Sequence, residues 1–428
     1  MHLLIKNGRI IDPANQRDEV TDIFIVDEAI VAIGKAPEGF KATQEIDATN
    51  QLVIPGLIDI SVNIKKPGDK NKGSIASESK AAAAGGITTI CIPPDTIPVI
   101  DSPAVAEMIH RTANDIGQVR MLPVAALTAA LAGEHLAEMA LLRDRGGCIG
   151  VSNGNNPLHS ILVMRRAMEY AASCRMQVYL RANEVSLSKN GCAHEGVIST
   201  RLGLTGIPEA AETVAVAREL MLVEQTGVSA HFLHISSHHA VTMINRAQQD
   251  GLPVSMSVTP HHLHLTEMDI GYFNSQCHVL PPLRTQRDRD VLRNAVKDGS
   301  ISCISSDHRP LPADAKLAPF GDSSPGISGL ETLLPLTLRL VDEDVLSLHD
   351  AISRLSHGPA QILGLNDCGQ LQVGYRADIC ILDAEQHWSI NPESFISSGK
   401  NSPFSDWEVK GKVTHTILAG QCVYQATE

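Results

Sequence analysis

Histidine and aspartate residues lie at the ends of two short apolar runs in the second half of the chain. His234 ends the run Ser229–His234, and Asp307 follows closely after the run Ser302–Ser305. Imidazole and carboxylate groups are ligands that zinc prefers, and they also perform general acid–base catalysis. If both runs are strands whose ends meet at one face of a sheet, these side chains belong to one candidate site.

The ends of three earlier apolar runs carry residues of a different kind. Ser61 and Asn63 follow the first run, Asn153 follows the fourth and Arg181 follows the fifth. None of these side chains is a useful zinc ligand, and an arginine is always protonated and cannot coordinate a metal. The segment 150–157 has no Asp, Glu or Lys, so a small shift in position supplies no ligand there.

The elements that must position these residues are eight short apolar runs, each followed by a stretch with helical composition. This alternation predicts an α/β fold, a closed (β/α)8 TIM-like barrel with its functional residues at the C-terminal ends of the strands. A doubly wound open sheet is the rival fold, but no glycine-rich phosphate fingerprint follows its first strand. The predicted strands are Leu57–Ile60, Ile87–Ile92, Met121–Ala125, Cys148–Ser152, Gln177–Leu180, Ser229–His234, Pro253–Val258 and Ser302–Ser305.

Both ends of the chain have β character and flank the barrel. Residues 1–54 contain the run Ile23–Val26, and residues 366–428 contain the run Ala377–Asp383. Short apolar runs of this kind predict strands, and we expect the two terminal segments to pair with each other. The prediction is a small composite β-sandwich domain formed by both terminal segments, beside a barrel that covers residues 55–365.

Composition restricts the classes of partner and location. The 428 residues carry a net charge of −13 and only 3% aromatic residues, which argues against nucleic acid or an anionic membrane as a partner. No apolar stretch is long enough to span a bilayer, and the N-terminus lacks the features of a secretory signal. Nine scattered cysteines without a Cys-x-x-Cys pair are typical of reduced thiols. We therefore expect a cytoplasmic protein.

Motifs at the predicted strand ends occur in a characteristic order. They lie at Pro55–Gly68, Pro94–Pro98, His231–Ser236, Thr259–Leu263, Pro281–Arg284, Ser306–Pro310 and Ser324–Glu331. Together they resemble the cyclic-amide hydrolases of the amidohydrolase superfamily, and dihydroorotase most closely. The first segment is similar to the family pattern P-G-x-I-D-x-H-x-H-x-R-x-P-G, and Ser306–Pro310 is similar to S-D-H-A-P-H. The resemblance covers essentially the whole chain and implies a barrel beside a β-sandwich.

The resemblance also implies a metal centre, of which this chain keeps only part. In the superfamily a divalent ion, often one of a pair, lowers the pKa of a bound water and polarises the ring carbonyl. Two remaining ligands on separate strands are too few for a stable zinc site. We therefore expect that zinc is lost and that no cofactor is bound. The changed ligand positions are Ser61, Asn63, Asn153 and Arg181, and the remnants are His234 and a vestigial Asp307.

Positions that the resemblance assigns to the substrate pocket are changed as well. The arginine, asparagine and histidine that hold a substrate carboxylate in the family are Lys65, Asp95 and Leu311 here. Leu280 replaces the asparagine of an N-P-P-L-R motif, and His261 matches a segment that lines the pocket. Asp95 is expected to repel an anionic substrate where an amide binds it in the family.

Arg181 suggests what replaces the charge of the metal. A buried carboxylate without a cation costs several kcal/mol, so we predict that Arg181 or Lys65 pairs with Asp307, directly or through water. His238 and His239 follow the sixth strand on a helical stretch, where we expect a helix surface rather than a ligand role.

These changes leave three hypotheses for the function. The first is a non-catalytic dihydroorotase homologue, because some inactive relatives associate with aspartate carbamoyltransferase and support its assembly in pyrimidine biosynthesis. It implies homo- and hetero-oligomers with the catalytic chain of that enzyme. The second is an active cyclic-amide hydrolase with a rebuilt, metal-poor site, and the third is a sensor of small anions or nucleotides. The sequence favours the first, and therefore predicts a chain that is not an enzyme.

Overall fold

Eight parallel strands form the barrel, in a computed structural model that describes residues 1–64 and 73–426. Neighbouring strands pair in parallel. The third strand continues at Ala125–Ala126, which pairs with the fourth strand. A bridge between Val62 and His308 connects the segments that follow the first and the eighth strands. Most strand residues are buried, as expected where helices cover a parallel sheet. The barrel strands are Leu57–Asp59, Ile87–Ile92, Arg120–Pro123, Gly150–Ser152, Gln177–Leu180, Ala230–Phe232, Val254–Val258 and Cys303–Ile304. The predicted barrel is confirmed.

Helices surround the barrel, and several begin at a side-chain cap. Ser74, Ser237 and Thr285 each accept a hydrogen bond from a backbone N–H of the first helical turn, which fixes where each helix starts. The long helices are Ile75–Ala84, Pro103–Ile116, Ile161–Ser173, Ala210–Thr226, His238–Gln249, Gln286–Asp298 and Leu333–Asp342. Shorter ones are Met139–Asp144, Val185–Ser188, Val197–Leu202, Pro260–His264, Leu348–Leu355 and His357–Leu363.

The two ends of the chain form one eight-stranded sheet. The strand Leu52–Pro55 from the N-terminal segment pairs antiparallel with Ile379–Ser389 from the C-terminal segment, so the predicted pairing of the two ends is confirmed. Its other strands are His2–Asp12, Arg17–Val26, Ala29–Ile33, Gln44–Asp47, Glu408–Leu418 and Gln421–Gln425. The exact boundaries at residues 54 and 365 stay predictions.

The core of this sheet is separate from that of the barrel. Leu3, Ile5, Ile379 and Ile417 are among the fully buried side chains that pack between the terminal segments. A larger apolar cluster fills the space between the barrel strands and their helices. Among the described residues, no helix is long and apolar enough to cross a membrane.

Candidate active site at the mouth of the barrel

A cavity of about 350 Å³ opens at the C-terminal ends of the fourth and fifth strands. The loop after the fourth strand, the loop after the fifth strand and the segment 280–284 form its walls. Its polar lining includes Asn153, Asn155, Arg181, Glu212 and Arg309. This is the face of a barrel where function is expected, and the volume suits a small ring compound rather than a polymer.

Asp307 is the centre of a network of polar side chains at this mouth. Its Oδ1 accepts hydrogen bonds from Asn63 Nδ2 at 3.2 Å and from Arg309 Nε at 3.3 Å. Its Oδ2 lies 3.5 Å from Arg181 Nη2. His234 Nδ1 is 3.7 Å from Oδ1. The carboxylate is nearly fully buried, and two guanidinium groups compensate its charge.

The protonation states follow from burial and from these cations. Burial alone raises the pKa of Asp307, but Arg309, His234 and Arg181 outweigh it and hold the pKa well below the ordinary value. Burial lowers the pKa of His234 to about 3, so this imidazole is neutral at neutral pH and the arginines supply the positive charge. Burial also lowers the pKa of Arg181 to about 10, which leaves its guanidinium charged.

His234 and Asp307 share an unusual backbone conformation. Their φ angles are 55° and 46°, in the left-handed region that residues other than glycine rarely adopt. Such conformations cost free energy and concentrate at functional sites. His234 is also fully buried, and neither of its ring nitrogens has a hydrogen-bond partner among the described residues. A buried imidazole without partners is costly, so the two ring nitrogens of His234 remain available for a hydrogen bond.

The positions that hold metal in the resemblance do not fit a divalent ion at this mouth. Asn153 uses both ends of its amide, since Oδ1 accepts from Thr128 and Nδ2 donates to the Asn156 carbonyl. Asn63 directs its Nδ2 donor at Asp307. Arg181 places a cation beside the same carboxylate and donates to the Leu280 carbonyl. Ser61 is buried close to the first strand end. Amide donors and guanidinium groups thus occupy the space where carboxylate and imidazole ligands are needed.

The other residues predicted for the pocket are scattered around the mouth. Asp95 accepts a hydrogen bond from Asn155 Nδ2 at 2.7 Å, and burial lowers the pKa of His261 well below its ordinary value. The backbone N–H of Leu311 donates to Asn401 Oδ1 at 3.0 Å. Lys65 lies outside the described residues, so its predicted pairing with Asp307 stays a prediction.

Arg309 is the functional residue that the sequence analysis missed. It contacts Asp307 through Nε and donates to Asn155 Oδ1 through Nη2 at 2.9 Å. The signal was present, because Arg309 occupies the alanine position of the S-D-H-A-P-H motif. An arginine two residues after a motif aspartate, in place of an alanine, indicates charge compensation.

Comparisons with known proteins identify the family of this chain. A sequence profile described as dihydro-orotase-like matches residues 50–240, and a profile described as amidohydrolase family matches residues 322–424. A dihydroorotase-like protein of Pseudomonas aeruginosa is 45% identical over 99% of this chain and 100% of its own length. A dihydroorotase of Syntrophotalea carbinolica is 41% identical over the full length of both chains. The chain belongs to the dihydroorotase-like family.

Solved structures agree with this family. The L-hydantoinase of Arthrobacter aurescens superposes with a TM-score of 0.88 at 25% identity, covering 100% of this chain and 96% of the other. The dihydropyrimidinase of Brevibacillus agri superposes with a TM-score of 0.84 at 22% identity and supports the fold alone. The barrel and the composite β domain of this dihydroorotase-like chain are therefore a shared architecture.

The prediction that the chain is not an enzyme is wrong. Relatives named dihydroorotase match it end to end at 40–41% identity, and the superposed structures are hydrolases. That prediction followed from the count of changed ligands, and an active enzyme with a rebuilt site was only the second hypothesis. Arg181 and Lys65 were considered there, but Arg309, which places a second guanidinium beside Asp307, was not.

The prediction that no metal cofactor remains is contradicted as well. The chain matches the amidohydrolase family and relatives named dihydroorotase, the family for which the resemblance implies a metal centre. The described residues also contain a group with the character of a metal site, formed by Glu209, His238 and His239. His238 and His239 were expected on a helix surface without a ligand role, whereas with Glu209 they lie at the beginnings of two helices.

Proposed function

We propose that this dihydroorotase-like chain hydrolyses a cyclic amide at a rebuilt barrel mouth. The observation that carries the proposal is the arrangement around Asp307, in which an ionised carboxylate and a neutral imidazole lie 3.7 Å apart beside two guanidinium groups. The relatives named dihydroorotase and the superposed hydantoinase support the reaction class. The cavity beside this network has the size for one small ring.

Each side chain has a distinct role in this proposal. Arg181 and Arg309 lie where they can stabilise negative charge that develops on the carbonyl oxygen of the ring amide, which is the largest single contribution in many acyl-transfer enzymes. The neutral imidazole of His234 accepts a proton from the attacking water and passes it to the ring nitrogen, which leaves as the C–N bond breaks. Asp307 holds both arginines in place and keeps the local charge balanced.

Ring opening by the purified full-length chain tests the proposal. Dihydroorotate, dihydrouracil and hydantoin are each incubated with zinc-supplemented and with chelator-treated protein, and products are separated by chromatography. We expect turnover of at least one ring, a fall of about 100-fold or more in Asp307→Asn, and wild-type turnover in the exposed control His135→Ala. Absence of turnover with all three rings, or an unchanged rate in Asp307→Asn, contradicts the proposal.

A second candidate function concerns assembly and rests on one exposed surface. Met268, Tyr272, Phe273 and Leu317 are 61%, 99%, 48% and 83% exposed. The two segments that carry them are joined by hydrogen bonds between Ser275 and Lys316. Large exposed apolar side chains on neighbouring segments are typical of protein–protein contacts. We propose that this surface, Met268, Tyr272, Phe273 and Leu317, binds the catalytic chain of aspartate carbamoyltransferase, alongside hydrolysis rather than in place of it.

Light scattering of the mixed full-length proteins tests this assembly. We expect a mass above that of either protein alone, lost in Tyr272→Ser and kept in Val20→Ser, a matched change at an exposed residue of the terminal sheet. If wild-type protein forms no complex, or if both variants form it equally well, the assembly proposal is wrong.

A further inference from the structure

A second group of ligand-type side chains lies outside the barrel mouth. Glu209, His238 and His239, here called the rim cluster, each offer one ligand atom, and these atoms lie within 4.8 Å of one another. His238 Nδ1 is 3.4 Å and His239 Nδ1 is 2.9 Å from the same oxygen, Glu209 Oε1. Two imidazole rings therefore converge on one carboxylate.

Rigid elements hold the rim cluster in place. Ser237 caps the helix His238–Gln249, so both histidines occupy its first turn. Glu209 directly precedes the helix Ala210–Thr226. Ligands on the beginnings of two packed helices keep their spacing better than ligands on loops. The rim cluster thus has the preorganisation that a bound ion requires.

The two ring nitrogens of His238 have different surroundings. Its Nδ1 is 2.7 Å from Asp288 Oδ1, and its backbone N–H donates to the same oxygen at 2.9 Å. Its Nε2 is buried and has no hydrogen-bond partner among the described residues. We expected His238 and His239 on a helix surface, yet only His239 is exposed, and the side chain of His238 is 13% exposed. The expectation of a surface histidine is therefore wrong for His238, whose imidazole is mostly buried between two carboxylates.

Distances and charge both suit a divalent ion of the zinc class. With metal–ligand bonds of about 2.0–2.1 Å in a tetrahedral site, neighbouring ligand atoms lie about 3.3 Å apart. The observed separations of 2.9 and 3.4 Å bracket that value. An ion bound at His238 Nδ1 replaces the contact of this nitrogen with Asp288 Oδ1, and Asp288 then stays close to the ion as a second carboxylate. Glu209 and Asp288 together carry two negative charges, which balance the charge of the ion. Two imidazoles and a carboxylate are a ligand set that zinc accepts with a fourth position open.

We propose that Glu209, His238 and His239 bind a zinc-class divalent metal ion at the rim of the barrel, with Asp288 balancing its charge. This site is separate from the network around Asp307, and the proposal does not depend on the proposed hydrolysis. His239 is well exposed, so an ion reaches the cluster from solvent without opening the fold.

Competition titration with a chromophoric chelator tests the proposal on the full-length protein. We expect one zinc ion per wild-type chain, and a Kd raised about tenfold or more in His239→Ala and in Glu209→Gln. His135→Ala is the matched control, because His135 is exposed beside Glu134 but lies outside the rim cluster. Its Kd is expected to equal that of wild type. Co²⁺ in place of zinc is expected to give the visible absorption of a tetrahedral site, again lost in His239→Ala.

Two outcomes overturn the proposal. One is wild-type protein that binds no zinc, or that binds it as tightly after His239→Ala as before. The other is a zinc ion that is lost in Asp307→Asn but kept in both rim variants, since that result places the ion at the mouth. Circular dichroism of each variant shows whether a lost ion reflects a lost ligand or an unfolded chain.

Discussion

The barrel mouth and the rim cluster each contain a carboxylate, but the groups that surround the two carboxylates differ. At the mouth, the carboxylate of Asp307 is met by guanidinium groups from Arg181 and Arg309. At the rim, the carboxylate of Glu209 is met by the imidazoles of His238 and His239. Guanidinium groups neutralise a carboxylate but cannot coordinate a metal, whereas imidazoles can. We therefore expect metal binding where imidazoles lie beside the carboxylate, and not where guanidinium groups do.

Removal of a cation from the barrel mouth should give the largest loss of stability. Arg181→Leu leaves a nearly buried carboxylate with only part of its compensation, so we expect the free energy of unfolding to fall by about 3 kcal/mol. Urea denaturation measures this. The exposed control Arg166→Leu should change it by less than about 0.5 kcal/mol. The double variant Arg181→Leu/Asp307→Asn should recover most of the loss. Equal effects of Arg181→Leu and Arg166→Leu speak against charge compensation.

A third carboxylate, Glu78, extends the comparison, because it contacts an imidazole in a site where both groups already have hydrogen-bond partners. Glu78 Oε2 is 2.8 Å from His308 Nε2 and also accepts from Ser397. Burial raises the pKa of Glu78, but His308 and the serines outweigh it and lower the pKa from 4.5 to about 2. The ionised carboxylate is therefore favoured in the folded state. This stabilisation is complete above about pH 4.5 and is lost as the pH falls towards 2.

Glu78→Gln should remove that pH-dependent stability. At pH 7 we expect a loss of about 3 kcal/mol, and the difference from wild type should shrink between pH 4.5 and 2. Unfolding curves at several pH values measure it. A difference between variant and wild type that is independent of pH contradicts the lowered pKa.

Zinc should stabilise the protein through the rim and not through the mouth. At a free zinc concentration of about 100 times Kd, a site that binds only the folded chain adds about 2.7 kcal/mol to the free energy of unfolding. We expect this gain in wild type and in Asp307→Asn, and its loss in His239→Ala. Denaturation with and without zinc measures it. If the stabilisation by zinc disappears in Asp307→Asn, the ion binds at the mouth and the prediction is wrong.

Replacement of His234 should change stability less than the variants above, but it should reduce turnover strongly. Its ring nitrogens have no hydrogen-bond partner among the described residues, so His234→Leu sacrifices no hydrogen bond there and should change stability by less than about 1 kcal/mol. Turnover of a ring substrate should fall by about 100-fold. Denaturation and activity measured on the same preparation separate the two effects. A large loss of stability indicates a structural rather than a catalytic role.

The fold could be predicted from the sequence because it depends on local patterns. Apolar runs of strand length, such as Ile87–Ile92, recur with helical stretches between them, and parallel strands buried on both faces must be apolar throughout. The pairing of Leu52–Pro55 with Ile379–Ser389 joins residues far apart in sequence. It was inferred only from the β character of both ends.

The site was predictable in part. Arg181, His234 and Asp307 lie at strand ends, and strand ends meet at one face of a barrel. The contribution of Arg309 depends on how its side chain folds back on Asp307, and the rim cluster depends on the packing of two helix beginnings. The rim cluster does not follow from spacing along the chain, because Glu209 is far in sequence from His238.

Anomalous diffraction at the zinc absorption edge, from crystals of the full-length protein grown with zinc, tests the central claim most directly. We predict a peak among Glu209, His238 and His239, and no peak between Asp307 and His234, where the guanidinium of Arg181 remains close to the carboxylate. A peak between Asp307 and His234, with Arg181 displaced from the carboxylate, would contradict the account.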